Sequence, residues 1–126
     1  MKTVINTNAA PSPIGPYSQA IKAGDFIFVS GQVAINPVTG ELILDDIKTE
    51  TKQVMDNINA ILTEAGVDFS HIVKTSIFLK DMQNFAQVNE VYGTYFKDNF
   101  PARETVQVAG LPKNVNVEIT VTAHKP

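Results

Sequence analysis

The stretch from Phe100 to Ala123, FPARETVQVAGLPKNVNVEITVTA, decides how the chain folds on paper. Apolar and polar residues alternate on both sides of Gly110 and Pro112, which predicts two β-strands closing as a hairpin. Val106 and Val108 are then expected to face the same way as Val117, Ile119 and Val121. Arg103, Thr105 and Gln107 fall on the opposite face with Glu118, Thr120 and Thr122. A cation and a carboxylate are thus expected on one face, within one or two strand positions of each other.

Working back from this hairpin, Phe85, Val88, Tyr92, Tyr95 and Phe96 form the apolar stripe of a helix that starts near Asn84 and is stopped by Pro101. HIVKTSIFLK, residues 71–80, alternates as a strand. Ile47, Thr51, Val54, Met55, Ile58, Ile61, Leu62 and Ala65 recur at helical steps, with Asp45 or Asp46 as the cap and Gly66 as the stop. Further back, SQAIKAGDFIFVSGQVAI predicts two strands turning at Gly24-Asp25. Ile27, Val29, Val33 and Ile35 are expected on one face, Ser30 and Gln32 on the other. AAPSPIGPY, rich in proline, should be an ordered but irregular lead-in.

The expected order is ββ, with room for a further short strand, then α, β, α, ββ: an α+β fold in one domain, residues 1–126. Two helices cover only one face of such a sheet, so the other face must meet water or another subunit.

Composition narrows the function. A net charge of −3 and scattered basic residues supply no track for a phosphate backbone, so nucleic acid is not expected as a partner. The chain has no cysteine, which removes disulfides and thiolate metal sites and fits a reducing compartment. No apolar run approaches the roughly 20 residues of a membrane span, and the N-terminus lacks a signal-peptide core, so a cytoplasmic protein without membrane contact is expected. His71 and His124 are far apart and lack spaced carboxylate partners, so no metal is expected, and no cofactor fingerprint is visible.

Arg103 and Glu118 read in two ways. As an exposed cross-strand pair they would add little to stability. As a site, the planar guanidinium would grip a carboxylate in a bidentate fork, and Glu118 would orient or activate a water on the molecule so held.

The segments IGPYSQA, FVSGQ, NPVTGE and VKTSIFLKDM, followed by PAR, LP and VEI, together resemble the RidA/YjgF family of enamine and imine deaminases across almost the whole chain. The resemblance implies a chorismate-mutase-like subunit with two helices on one side of a mixed sheet. It also implies a homotrimer with ligand clefts between subunits and no cofactor. The activity implied is hydrolysis of reactive imines, such as those derived from 2-aminoacrylate or 2-aminocrotonate, to 2-keto acids and ammonia. By the same resemblance Arg103 grips the substrate carboxylate and Glu118 holds the attacking water. Tyr17, Ser30, Gly31 and Asn89 border the ligand. Thr105, which stands where many members have cysteine, keeps the backbone amide at that place.

The chain departs from the family pattern at Thr105, at Glu104 beside the arginine and at Thr120 in the last strand. Glu104 should point away from Arg103, but its charge bears on anion binding. Two alternatives accompany the deaminase: a trimer that binds or senses keto acids without turnover, and an RNA-cleaving protein, which the lack of a basic patch or a histidine pair disfavours.

Overall fold

In the computed structural model, which describes residues 1–126, helix α1 spans Ile47–Glu64. Its cap is Asp46, whose carboxylate accepts a hydrogen bond from the Thr49 amide at 2.8 Å and satisfies one of the open donors of the first turn. Just past the helix, Gly66 takes a φ of +79°, a conformation that glycine adopts without strain. Val54, Met55, Ile58, Ile61 and Leu62 make its fully buried stripe. Each such side chain contributes roughly 1.5–3 kcal/mol on leaving water.

The stripe packs on a six-stranded mixed sheet. The strands are β1 (Lys2–Ile5), β2 (Ala20–Ala23), β3 (Phe26–Gln32), β4 (Ile72–Leu79), β5 (Ala102–Gln107) and β6 (Val117–His124). Their order across the sheet is β1-β2-β3-β6-β4-β5. All neighbours are antiparallel except β4 and β5, which are parallel. Helix α2 (Phe85–Gly93) bridges β4 and β5, as a parallel pair requires. Val88 and Tyr92 of α2 join Ile77, Leu79, Ile119 and Val121 of the sheet in one core with α1. Both helices therefore lie on one face, and the α+β expectation holds.

The closing hairpin does not form. β4 lies between β5 and β6, and the connection 108–116 is longer than the about 2–5 residues of an ordinary hairpin loop. β5 follows α2 back to β4, so its register comes from that pairing. Arg103 stands beside Thr75, Thr105 beside Ile77 and Gln107 beside Leu79. Thr75, Ile77 and Leu79 are fully buried beneath the helices. Arg103 therefore faces the helices, and Val106, expected to share the face of Val117, Ile119 and Val121, is exposed on the open face beside Phe78.

A second difference lies in β3. The register breaks between Val29 and Gln32, so Ser30 and Gly31 together oppose Thr120. This bulge reverses the alternation: Gln32 stands opposite Ile119 on the helix side, although it was expected with Ser30. Val33 and Ile35 leave the face of Ile27 and Val29 and form a separate cluster with Val115. Two smaller corrections concern extent. β1 was not foreseen, and α2 ends at Gly93, so Tyr95 and Phe96 follow it rather than belong to it.

Candidate active site

Glu118 leaves β6 on the open face of the sheet, beside the bulge of β3. An ideal Cβ built on Gly31 would lie 2.0 Å from Glu118 Oε2, so only glycine leaves room for this carboxylate against β3. Burial alone pushes the Glu118 carboxyl above the usual carboxylate range, since no cation or donor offsets it. Glu118, Gly31, Ser30 and Tyr17 line one cleft of about 320 Å³, with Ile14, Val33, Ile35 and Pro112 as apolar walls.

The irregular lead-in supplies one side of this cleft and is held down by Gln19. That buried side chain accepts from the Thr7 amide at 2.7 Å and donates to the carbonyls of Thr7 at 3.0 Å and Pro11 at 2.8 Å. Ser30 Oγ donates to the Ser18 carbonyl at 2.6 Å, so its hydroxyl holds the backbone next to Tyr17. The Tyr17 hydroxyl accepts from the Ile14 amide at 3.2 Å and closes the turn between them.

Arg103 stands in a different place. Its guanidinium carbon lies 5.1 Å from the ring centre of Tyr92 and 5.7 Å from that of Phe85, within cation–π range of both. The Tyr92 hydroxyl donates to Thr75 Oγ1 at 3.0 Å, which fixes the ring. Burial raises the Tyr92 phenol, against the opposing effects of that hydrogen bond and of Arg103. Arg103 belongs to none of the ion pairs of the chain. With Asn89, Gly93 and Phe100 it lines a second, shallower cleft of about 300 Å³. A guanidinium that lies over two rings, takes part in no ion pair and lines a cleft is able to accept an anion.

The expected site is therefore divided. Tyr17, Ser30, Gly31 and Glu118 come together, as do Asn89 and Arg103, but the two groups lie on opposite faces of the sheet. The cross-strand pair does not exist within one chain. Thr105 lines neither cleft, and its buried hydroxyl has no partner. Glu104 points to the open face, where Lys74 Nζ meets its Oε1 at 2.7 Å and Ser76 donates to its other oxygen. The Lys74 hydrogen bond, then that of Ser76, hold its carboxyl below the usual range. Its charge is thus compensated on the side away from Arg103.

In the sequence Phe85 and Tyr92 belong only to the apolar stripe of a helix, and nothing there marks their place under Arg103. Their spacing of seven places them on one helix face, a signal that points to Arg103 only once β5 is known to lie beside β4. Neither histidine lines either of these two clefts: His71 Nδ1 accepts from the Asp68 amide at 3.1 Å and His124 packs against Phe26 at 4.9 Å between ring centres. No group of three or more His, Asp or Glu side chains is arranged to hold a metal ion. No helix is long and apolar enough to cross a membrane.

A family model described as Endoribonuclease L-PSP matches residues 7–125. The chain is 54% identical over 125 residues to a RutC family protein of Pyrococcus horikoshii, with 99% of each chain covered. It is 46% identical over 123 residues to the human protein named 2-iminobutanoate/2-iminopropanoate deaminase, covering 98% of this chain and 90% of the human one. The solved structure of E. coli TdcF with bound serine matches with a TM-score of 0.94 at 38% identity, covering 98% and 99% of the two chains. The chain belongs to this family, the L-PSP or RidA/YjgF family whose motifs its sequence carries. Imine deaminases are among its members.

Proposed function

We propose that this protein hydrolyses small 2-imino acids to 2-keto acids and ammonia, as a homotrimer in which Arg103 of one subunit and Glu118 of its neighbour share one site. The observation that carries the reading is the division of the site. Each chain presents an unpaired guanidinium on one face of its sheet and a half-buried carboxylate on the other, and a second copy is the simplest way to bring them together. The open face suits such an assembly, since exposed Phe26, Phe28 and Val106 lie on it among polar residues.

In this mechanism the Arg103 fork holds the substrate carboxylate and leaves the adjacent C=N carbon facing Glu118. Water adds to that carbon of the protonated imine while Glu118 takes its proton, forming a neutral carbinolamine. Glu118 then returns the proton to nitrogen, the C–N bond breaks as the carbinolamine hydroxyl gives its proton to Glu118, and ammonia leaves with the keto acid. Burial lifts the Glu118 carboxyl toward the range that both transfers need, while the neighbouring guanidinium draws it back and keeps the carboxylate available to accept the water proton. The wall of Ile14, Val33 and Ile35 fits a short aliphatic side chain. Relatives support this reading: one is named as an imine deaminase and another holds serine, itself a small amino acid with a carboxylate. The family's endoribonuclease name finds less support here, because neither histidine lines a cleft and no basic run is present.

The test is complementation between two inactive variants, Arg103→Lys and Glu118→Gln, unfolded together and refolded as mixed trimers. A cyclic trimer containing both chains always has one site with both native residues, so random mixing should restore about one quarter of wild-type imine hydrolysis. No recovery, with mixed trimers verified by mass spectrometry, would place Arg103 and Glu118 outside a shared site. A wild-type trimer that binds pyruvate but leaves imine decay unchanged would instead make the protein a binding module.

A further inference from the structure

Helix α1 carries three buried polar side chains that take no part in the chemistry above: Thr51 donates back to the Ile47 carbonyl of its own helix, whereas Glu50 and Asn57 reach outside it. Glu50 is fully buried and Asn57 nearly so, and their spacing of seven puts them on one face of the helix, two turns apart. Glu50 has no cation within ion-pair distance. Its Oε2 accepts from the Asn116 amide at 2.8 Å and the Val117 amide at 3.3 Å, and its Oε1 accepts from Asn116 Nδ2 at 2.8 Å. Asn57 Nδ2 donates to the carbonyls of Val33 at 3.1 Å and Ile35 at 3.0 Å, while Gln53 Nε2 fixes its oxygen at 2.9 Å.

A buried carboxylate without a cation destabilises a core unless donors surround it, and an apolar side chain would have packed there without that requirement. The partners explain its presence. The segment held by Glu50 follows Lys113 and Asn114, two consecutive non-glycine residues with φ of 55° and 57°. Such a conformation persists only where its surroundings impose it. Pro112, a wall of the Glu118 cleft, stands just before that pair, and the residues that Glu50 holds lead directly into Glu118 itself. The segment held by Asn57 carries Val33 and Ile35, another wall, and follows the bulge at Gly31.

We infer that α1 positions the Glu118 cleft, with Glu50 and Asn57 as positioning residues that hold its two walls from the helix-covered side of the sheet. Neither residue touches the substrate; both act through backbone. The Arg103 cleft is carried by β5 and α2 and lies outside this support. The expected effect on turnover rests on the hydrolase reading, so the test includes a measurement that does not.

Glu50→Gln and Asn57→Ala are prepared in the full chain and compared with wild type in two ways. Carbon NMR follows the titration of the Glu118 carboxyl, and kinetics follow imine hydrolysis. The expected result is a lower Glu118 midpoint in both variants, as loosened walls admit water, with kcat reduced about tenfold and KM held within about twofold. A lower melting temperature with the Glu118 midpoint and kcat unchanged would overturn the inference and leave both residues as stability elements. Equal damage to kcat and to pyruvate affinity at Arg103 would overturn it too, as general loosening. If wild type shows no hydrolysis, the hydrolase reading fails and the Glu118 titration alone decides: a moved midpoint supports positioning, an unmoved one sinks it. Should neither variant fold, Asn116→Ala removes one donor from Glu50 and is judged by the same titration.

Discussion

Glu118 rests its carboxylate on the backbone of Gly31, with Oε2 2.0 Å from where any other residue would put its Cβ. The atoms that would have to move belong to a side chain and not to backbone. Gly31→Ala should therefore fold with nearly the native melting temperature while Glu118 swings out of place. Turnover is expected to fall by about tenfold or more, because a displacement of an ångström at a reacting group costs that much. Wild-type kinetics in a folded Gly31→Ala protein would separate Glu118 from the chemistry.

Glu118 also predicts how stability depends on pH. Burial raises its carboxyl in the folded chain above the unfolded value near 4.5, so the folded state binds this proton more tightly. Its contribution is fully present below the unfolded pKa and is lost as pH rises through the folded one. Glu118→Gln, which cannot ionise, should thus be more stable than wild type at pH 7 and should lose that advantage near pH 4. Thermal melts across this range check it, and a variant less stable than wild type at pH 7 would mean that the Arg103 of a neighbouring subunit outweighs burial at Glu118.

Arg103→Lys keeps the charge and loses both the fork and the delocalised cation that lies over Tyr92 and Phe85. Pyruvate affinity, measured by calorimetry, should fall about tenfold or more, since a point-charge ammonium forgoes the paired hydrogen bonds. Tyr92→Phe retains the ring and removes only the bond to Thr75, so its loss should be smaller. Equal affinities for wild type and Arg103→Lys would mean that the anion binds elsewhere.

Gln19→Leu tests the lead-in segment. Four backbone groups, the Thr7 amide and the carbonyls of Thr7, Ala10 and Pro11, would lose their partner, and each one left buried costs about 1–3 kcal/mol. Hydrogen exchange should rise across residues 7–17 while α1 stays protected. KM should rise with it, because Tyr17 and Ile14 sit on that segment. Uniform loss of protection over the whole chain would mean that Gln19 supports the core instead.

Helix α1, strands β4 and β6 and most of the core were legible as periodicity, since burying one face of a helix or strand imposes its repeat on the residues themselves. Val54, Ile58 and Leu62 declare their helix, and Val117, Ile119 and Val121 their strand, without reference to anything distant. The single covered face followed from having two helices and one sheet. The motifs around Tyr17, Gly31, Arg103 and Glu118 marked the family, and the family in turn implied Asn89; these residues line the two clefts.

Tertiary structure alone decided which strands are neighbours. Alternation says that Arg103 and Thr105 share a face, but which face depends on the strand that supplies their hydrogen bonds, and that strand is β4, some thirty residues earlier in the chain. A helix between β4 and β5 makes them a parallel pair, and this pairing turns Arg103 under α2 while Glu118 stays on the open face. The bulge at Ser30-Gly31 is of the same kind: one extra residue, invisible in the pattern, reverses everything after it and moves Val33 and Ile35 from the core to the cleft. Periodicity is local because each residue meets water or core on its own. Sheet order and register are not, because a backbone hydrogen bond needs a partner that only the folded chain brings within reach.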